Sequence, residues 1–175
     1  MSAPMPIAAI ISLGTLTAAM AVMAGEAVLS AFNASLLRAR GAVEPPSDVY
    51  RTMQWAYPAA FVAMALEGAL TGPSPMPALG LGLGVFGLAK ALKAWAISTL
   101  GTRWSFRVLV PPGEPPIVGG PYRLLNHPNY VAVCGEMLGA ALIMGAPVSG
   151  VAATLGFAWL MRRRIAIEDR ALGRR

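Results

Sequence analysis

From the N-terminus, the chain first offers 19 residues without a charge, Ile7 to Gly25, enough for an α-helix to cross ~30 Å of hydrocarbon. The helical pattern continues to about Arg38 and carries Glu26, Ser30 and Asn33 at i, i+4 and i+7, one narrow face. Arg40 would join that face if the helix persists. Gly41-Ala42-Val43-Glu44-Pro45-Pro46-Ser47-Asp48 then breaks the helix into a loop. A second apolar segment runs from Thr52 to Leu70, with Glu67 near its end and expected to be solvated there. After an uncharged turn over Thr71–Pro77, Ala78 to Leu100 forms a third segment, whose Lys90 and Lys93 are expected to snorkel to the interface. Its Gly80-x-Gly82-x-Gly84-x-x-Gly87 follows no strand and is no nucleotide loop; Gly80-x-x-x-Gly84 predicts close helix packing in lipid. Gly101 to His127 keeps no helical or strand period, which predicts an ordered loop over the membrane surface.

The chain is next uncharged from Met137 to Met161, 25 residues interrupted by Gly145-Ala146-Pro147. Charge decides between one span and a helical hairpin. With a hairpin, five spans place all 14 basic residues on one side; a single span splits them 8 against 6. Basic loops stay cytoplasmic, so the hairpin is favoured, with the N-terminus extracytoplasmic and the C-terminus cytoplasmic. Its first arm, Pro128 to Met144, would be about 25 Å long. Gly135-x-x-x-Gly139 and Ala152-x-x-x-Gly156 would let the two arms approach closely. The expected fold is therefore an all-α integral membrane bundle of five transmembrane helices, the last two a hairpin. A cytoplasmic loop and a C-terminal helix complete it. One domain covers 1–175, with a three-helix part at 1–100 and a second part at 101–175.

Composition agrees: 56% of residues are hydrophobic and only 13% charged, about half the share of a soluble domain. The net charge of +6 reads as topology and not as nucleic-acid binding. No basic residue precedes the first apolar run, which is too long for a signal peptide. A single Cys, Cys134, allows no intrachain disulfide, and with a single His no ordinary zinc site can form.

The candidate chemistry gathers between Gly119 and Glu136. Locally the stretch is a helix start, with Asn126 or His127 as cap, Pro128 in the first turn and Tyr130 at the interface. Gly120-Pro121-Tyr122-Arg123, His127-Pro128-Asn129-Tyr130 and Glu136 together resemble the core motif of the isoprenylcysteine carboxyl methyltransferase family. Arg164-Ile165-Ala166-Ile167-Glu168-Asp169-Arg170-Ala171-Leu172 is similar to the family's second motif. The family usually has Arg where Asn126 stands. Glu26, Asn33 and Gly41-Ala42-Val43-Glu44 are similar to a bacterial branch that methylates long-chain phenolic or pyrone lipids.

The resemblance implies an integral inner or plasma membrane enzyme using S-adenosylmethionine, with its active site at the cytoplasmic face. Cofactor contacts would fall to Tyr122, His127, Pro128, Tyr130, Arg164, Glu168 and Asp169. His127 and Tyr130 would meet the methionine end, and Glu168 with Asp169 the adenosine end. The methyl acceptor would be a lipophilic or lipidated molecule, its tail in the bilayer. A carboxylate acceptor is ionised at neutral pH, whereas a phenol with pKa near 10 needs a base, for which His127, Glu136 and Glu26 are the candidates. Glu26, Ser30 and Asn33 would hold the acceptor's head group. Membrane steroid and sterol reductases, which use a nicotinamide cofactor, carry a similar His-Pro-x-Tyr and remain the alternative, with a non-catalytic membrane scaffold as a third reading.

Overall fold

The computed structural model describes residues 5–45 and 49–171. Among the described residues five α-helices follow one another: α1 (Ile7–Ala39), α2 (Tyr50–Thr71), α3 (Met76–Leu100), α4 (Pro128–Met144) and α5 (Pro147–Ala171). Two short 3₁₀ turns, Gly101–Arg103 and Gly120–Arg123, punctuate the connection between α3 and α4. Pro46, Ser47 and Asp48, and Leu172 of the second motif with the three residues after it, lie outside the described residues.

α1 and α3 are each long and apolar enough to cross a membrane. Their outer faces carry exposed Ile10, Leu13, Val28, Phe32, Leu81 and Leu88, as lipid-facing helices do. What the bundle buries is a Met- and Ala-rich core, including Phe61, Met64, Met137 and Met144. α1 keeps its helical phase as far as Ala39, so Glu26, Ser30 and Asn33 do share its buried face. Arg40 does not join them, because it caps the helix and stays exposed.

Close approaches occur at other glycines, or against other neighbours, than the sequence pattern suggests. α4 packs most closely on α3: a Cβ at Gly82 would come within 2.9 Å of Gly139 O, and one at Gly139 within 2.7 Å of Phe86 N. Gly80 and Gly84 have open space around them, so the packing stripe on α3 is centred on Gly82. Gly135 and Gly139 face α3 and not α5, and Gly156 packs on nothing; α5 reaches α4 through Gly150, set against Ala141. A spacing of four gives a common face but cannot say which neighbour that face meets.

α4 ends in Gly145, whose φ of 68° and ψ of 40° need a residue without a Cβ clash. α5 then begins at Pro147 and runs without a break for 25 residues, about 37 Å. The expected C-terminal helix is thus the last part of α5 and not a separate element, since neither Gly nor Pro interrupts Phe157 to Ala171. Its first turn is capped by Glu67 of α2: Val148 N–H donates at 3.0 Å, Ser149 N–H at 2.6 Å and the Ser149 hydroxyl at 2.5 Å. Glu67 stays partly exposed, as expected of a solvated helix end, and its carboxylate also serves the free N–H groups of a helix start.

Candidate active site

Two elements distant in sequence meet at one end of the bundle. Pro128 begins α4 as its first residue, and His127 sits at the capping position. The His127 side chain makes no cap bond; its backbone carbonyl accepts the N–H of Tyr130 at 3.1 Å, and the ring is turned toward α5. There His127 Nε2 lies 3.2 Å from Asp169 Oδ1 and Nδ1 lies 3.8 Å from Glu168 Oε2. Tyr130, one turn further on, stacks on His127 with centroids 5.4 Å apart and donates its hydroxyl to Glu168 Oε2 at 2.7 Å. The Tyr130 oxygen accepts from Arg164 Nε at 3.0 Å, and Arg164 also donates to the Phe106 carbonyl. The two motifs therefore form one network, and Arg164, 5% exposed, is its buried centre.

A second cluster sits deeper, between α1, α3, α4 and α2. Lys93 is 2% exposed and does not snorkel. Its ammonium lies 2.8 Å from Glu26 Oε2 and 3.2 Å from Glu136 Oε1. Lys90 bridges the same two carboxylates at 3.2 and 3.1 Å. Tyr57 donates its hydroxyl to Glu136 Oε2. Two cations and two anions so placed can offset the large cost of taking each from water. Both carboxylates stand out in the sequence as candidates, whereas Lys90, Lys93 and Tyr57 do not stand out as their partners. A signal was present: Lys90 and Lys93 share a helical face, and Glu26 and Glu136 stand in apolar segments that give such groups no other partner.

Ser30 and Asn33 extend the polar face of α1 beyond Glu26, and both hold the chain that follows α3. Asn33 Nδ2 donates to Trp104 O at 2.8 Å and to Gly101 O at 3.3 Å. The Ser30 hydroxyl accepts from Phe106 N–H at 2.8 Å. Outside this, Val43 pairs with Val110 through their backbones, and Arg107 reaches Glu44 at 2.7 Å. The loop is thus fastened across the bundle end as a roof.

Beneath that roof lies a cavity of about 510 Å³. His127, Pro128, Tyr130, Tyr122, Arg164 and Glu168 border it on one side, and Lys93 and Tyr57 reach it from the other. Met20, Met23, Ala24, Ala27, Met53 and Phe157 supply apolar wall. Glu26, Glu136, Ser30, Asn33 and Asp169 stand behind this lining and touch it through their partners.

The model of the isoprenylcysteine carboxyl methyltransferase (ICMT) family matches residues 81–174, which hold both motifs. The chain belongs to the isoprenylcysteine carboxyl methyltransferase family. It is also 29% identical over 150 residues to the uncharacterized protein YpbQ of Bacillus subtilis (strain 168), covering 85% of this chain and 89% of that protein. No solved structure matches. Membership makes the chain a membrane methyltransferase and gives the methyltransferase expectation precedence over the reductase one.

ICMT-family methyltransferases generally use S-adenosylmethionine, and the cavity suits such a group. Its volume falls inside the usual ~300–1,000 Å³ of small-molecule sites. Asn129 Oδ1 is buried in its wall without a hydrogen-bond partner among the described residues, an acceptor left for a ligand N–H or O–H. Carboxylates, a guanidinium and aromatic rings are the donor set for a ligand with ammonium, carboxylate, hydroxyl and purine parts.

Proposed function

We propose that this ICMT-family protein transfers the methyl group of S-adenosylmethionine to an oxygen of a lipophilic acceptor, a carboxylate or a phenolic or enolic hydroxyl. The supporting observation is that both family motifs meet in one hydrogen-bonded network at the border of a cavity with apolar walls. His127 and Tyr130 take the methionine end, and Glu168 with Asp169 the adenosine end; Tyr122, Pro128 and Arg164 shape that side. When bound, the cofactor supplies an electrophilic methyl on a sulfonium. The chain's part is to hold the acceptor oxygen within about 3 Å of it and to keep water out. The acceptor's chain lies along Met20, Met23 and Ala27 toward the lipid. Glu26 acts through Lys93, and Ser30 and Asn33 through the loop they hold, so the α1 face positions the head group indirectly. His127 and Glu136 are the remaining proton acceptors.

Binding in detergent tests the reading. S-adenosylhomocysteine should bind the wild-type protein and NADPH should not. His127→Ala and Glu168→Gln should each weaken S-adenosylhomocysteine by at least about tenfold, ~1.4 kcal/mol, with the protein still folded. Normal binding by both variants, or preference for NADPH, would refute it.

The proposed topology has five crossings, with the α4–α5 hairpin inserted and all basic loops cytoplasmic. Cysteines placed at Pro75 and Pro147 should label with an impermeant maleimide from the extracytoplasmic side only. Labelling of Pro147→Cys from the cytoplasm would rule out the hairpin.

A further inference from the structure

Among the described residues three buried side-chain atoms have no hydrogen-bond partner: Ser12 Oγ, Glu136 Oε1 and Asn129 Oδ1. Glu136 Oε1 still faces the Lys93 ammonium at 3.2 Å, and Ser12 is packed beside Gly68. Of the three, Asn129 borders the cavity and the other two do not. A buried amide oxygen left unpaired costs free energy, so this one points to a ligand group. Helical phase shows which part of the cavity it meets. Asn129, Val133 and Glu136 recur at i, i+4 and i+7, one face of α4. Glu136 on that face reaches Tyr57, so the face turns toward α1 and α2. Tyr130 is turned instead toward Arg164 and Glu168 of α5, and Gly135 and Gly139 face α3.

Asn129 thus stands between the hydrogen-bonded network and the apolar wall of Met20, Met23 and Ala27. A methyl group to be passed from a cofactor at the network to an acceptor along the wall lies between the same two. Other oxygens nearby are committed. The Trp104 carbonyl accepts from Asn33, the Phe106 carbonyl from Arg164, and Glu168 Oε2 from Tyr130. Most charged side chains that border the cavity are cationic: Lys93, Arg103, Arg107 and Arg164. A positive centre in their midst needs the negative end of a dipole, and Asn129 Oδ1 is one left to offer it.

Resting on the methyltransferase reading, we propose that Asn129 reads the charge of the cofactor, its Oδ1 favouring the sulfonium of S-adenosylmethionine over the neutral thioether left after transfer. An amide suits this better than a carboxylate. Its oxygen attracts a cation and the polarised C–H groups on it, yet is too weak a nucleophile to take the methyl itself. When the S–C bond breaks, its electron pair stays on sulfur, the charge is gone, and Asn129 loses its hold on the product. The charge is fullest before transfer, so the contact serves loading and release and not the chemical step.

Calorimetric titration of the full chain in detergent, with no acceptor and hence no turnover, compares three ligands. They are S-adenosylmethionine, S-adenosylhomocysteine and sinefungin, in which an amine-bearing carbon replaces the methylated sulfur. Asn129→Leu, close in volume, should weaken S-adenosylmethionine at least about tenfold more than S-adenosylhomocysteine, with sinefungin following the sulfonium. S-adenosylhomocysteine should lose no more than about twofold in that variant. Asn129→Asp should move the preference the other way, about tenfold toward the two cations. Equal losses for all three ligands would assign Asn129 to a part they share, such as the purine or the ammonium, and would overturn the proposal. Unchanged ratios in both variants, or shifts of one sign in both, would overturn it too. If the leucine variant does not fold, the sign of the shift in Asn129→Asp decides. Wild-type protein that binds none of the three removes the methyltransferase reading and this inference with it. Wild-type binding with ratios that neither variant alters removes this inference and leaves that reading standing.

Discussion

Replacing Lys93 by methionine should lower the stability of the folded protein by about 3–5 kcal/mol. The change removes a buried ammonium that lies within about 3 Å of two carboxylates, and methionine fills the space without the charge. Lys90 alone then faces Glu26 and Glu136, so one buried anion is left without a match. Thermal unfolding in detergent, followed by circular dichroism, gives the loss. The decisive comparison is Lys93→Met with Glu26→Gln. That pair leaves Lys90 opposite Glu136, a balanced couple, and should recover much of the deficit although two native groups are gone. The two changes are therefore strongly non-additive. A single-variant loss under about 1 kcal/mol, or simple additivity, would show that the cluster carries little energy.

Gly68→Ala should be the most damaging of the glycine substitutions. A Cβ there would lie 2.1 Å from the Met144 carbonyl oxygen and 2.7 Å from Ser12 Oγ. The first obstacle is backbone, which cannot rotate aside, so α2 must move away from the end of α4. Overpacking of this kind costs about 1–3 kcal/mol and more where backbone is the neighbour. Gly80→Ala is the internal control: open space surrounds it, and alanine is the better helix former by up to about 1 kcal/mol. Equal melting temperatures for the two variants would mean that α2 and α4 do not meet at Gly68.

Helix ends were the most legible part of this chain. Pro128 fixes φ at a helix start and Gly145 accepts a left-handed turn, so α4 begins and ends where those residues say. Helical phase was legible too, which is why Glu26, Ser30 and Asn33 fall on one buried face. Partnership was not. A lysine in an apolar segment can reach water by its four-carbon stem or stay inside beside a carboxylate. Nothing local to Lys93 distinguishes these; what decides is that Glu26 and Glu136, on other helices, have the same need. The exposure of Glu67 was legible but its capping role was not, its partners being the N–H groups of a helix that starts some eighty residues later. Of the candidate site, the motif residues were legible as a set. The Tyr57 hydroxyl was invisible, because no spacing links it to Glu136.

Phe106 illustrates how little side-chain identity a crossing point can require. Its N–H is taken by Ser30 of α1, and its carbonyl by Arg164 of α5, the same arginine that holds Tyr130 of α4. Three helices are thus tied through one residue's main chain. The alphabet at position 106 is correspondingly wide with respect to these ties, and evolution can retune the ring that lines the cavity without untying the bundle. Proline is the exception, since it alone brings no N–H to the knot.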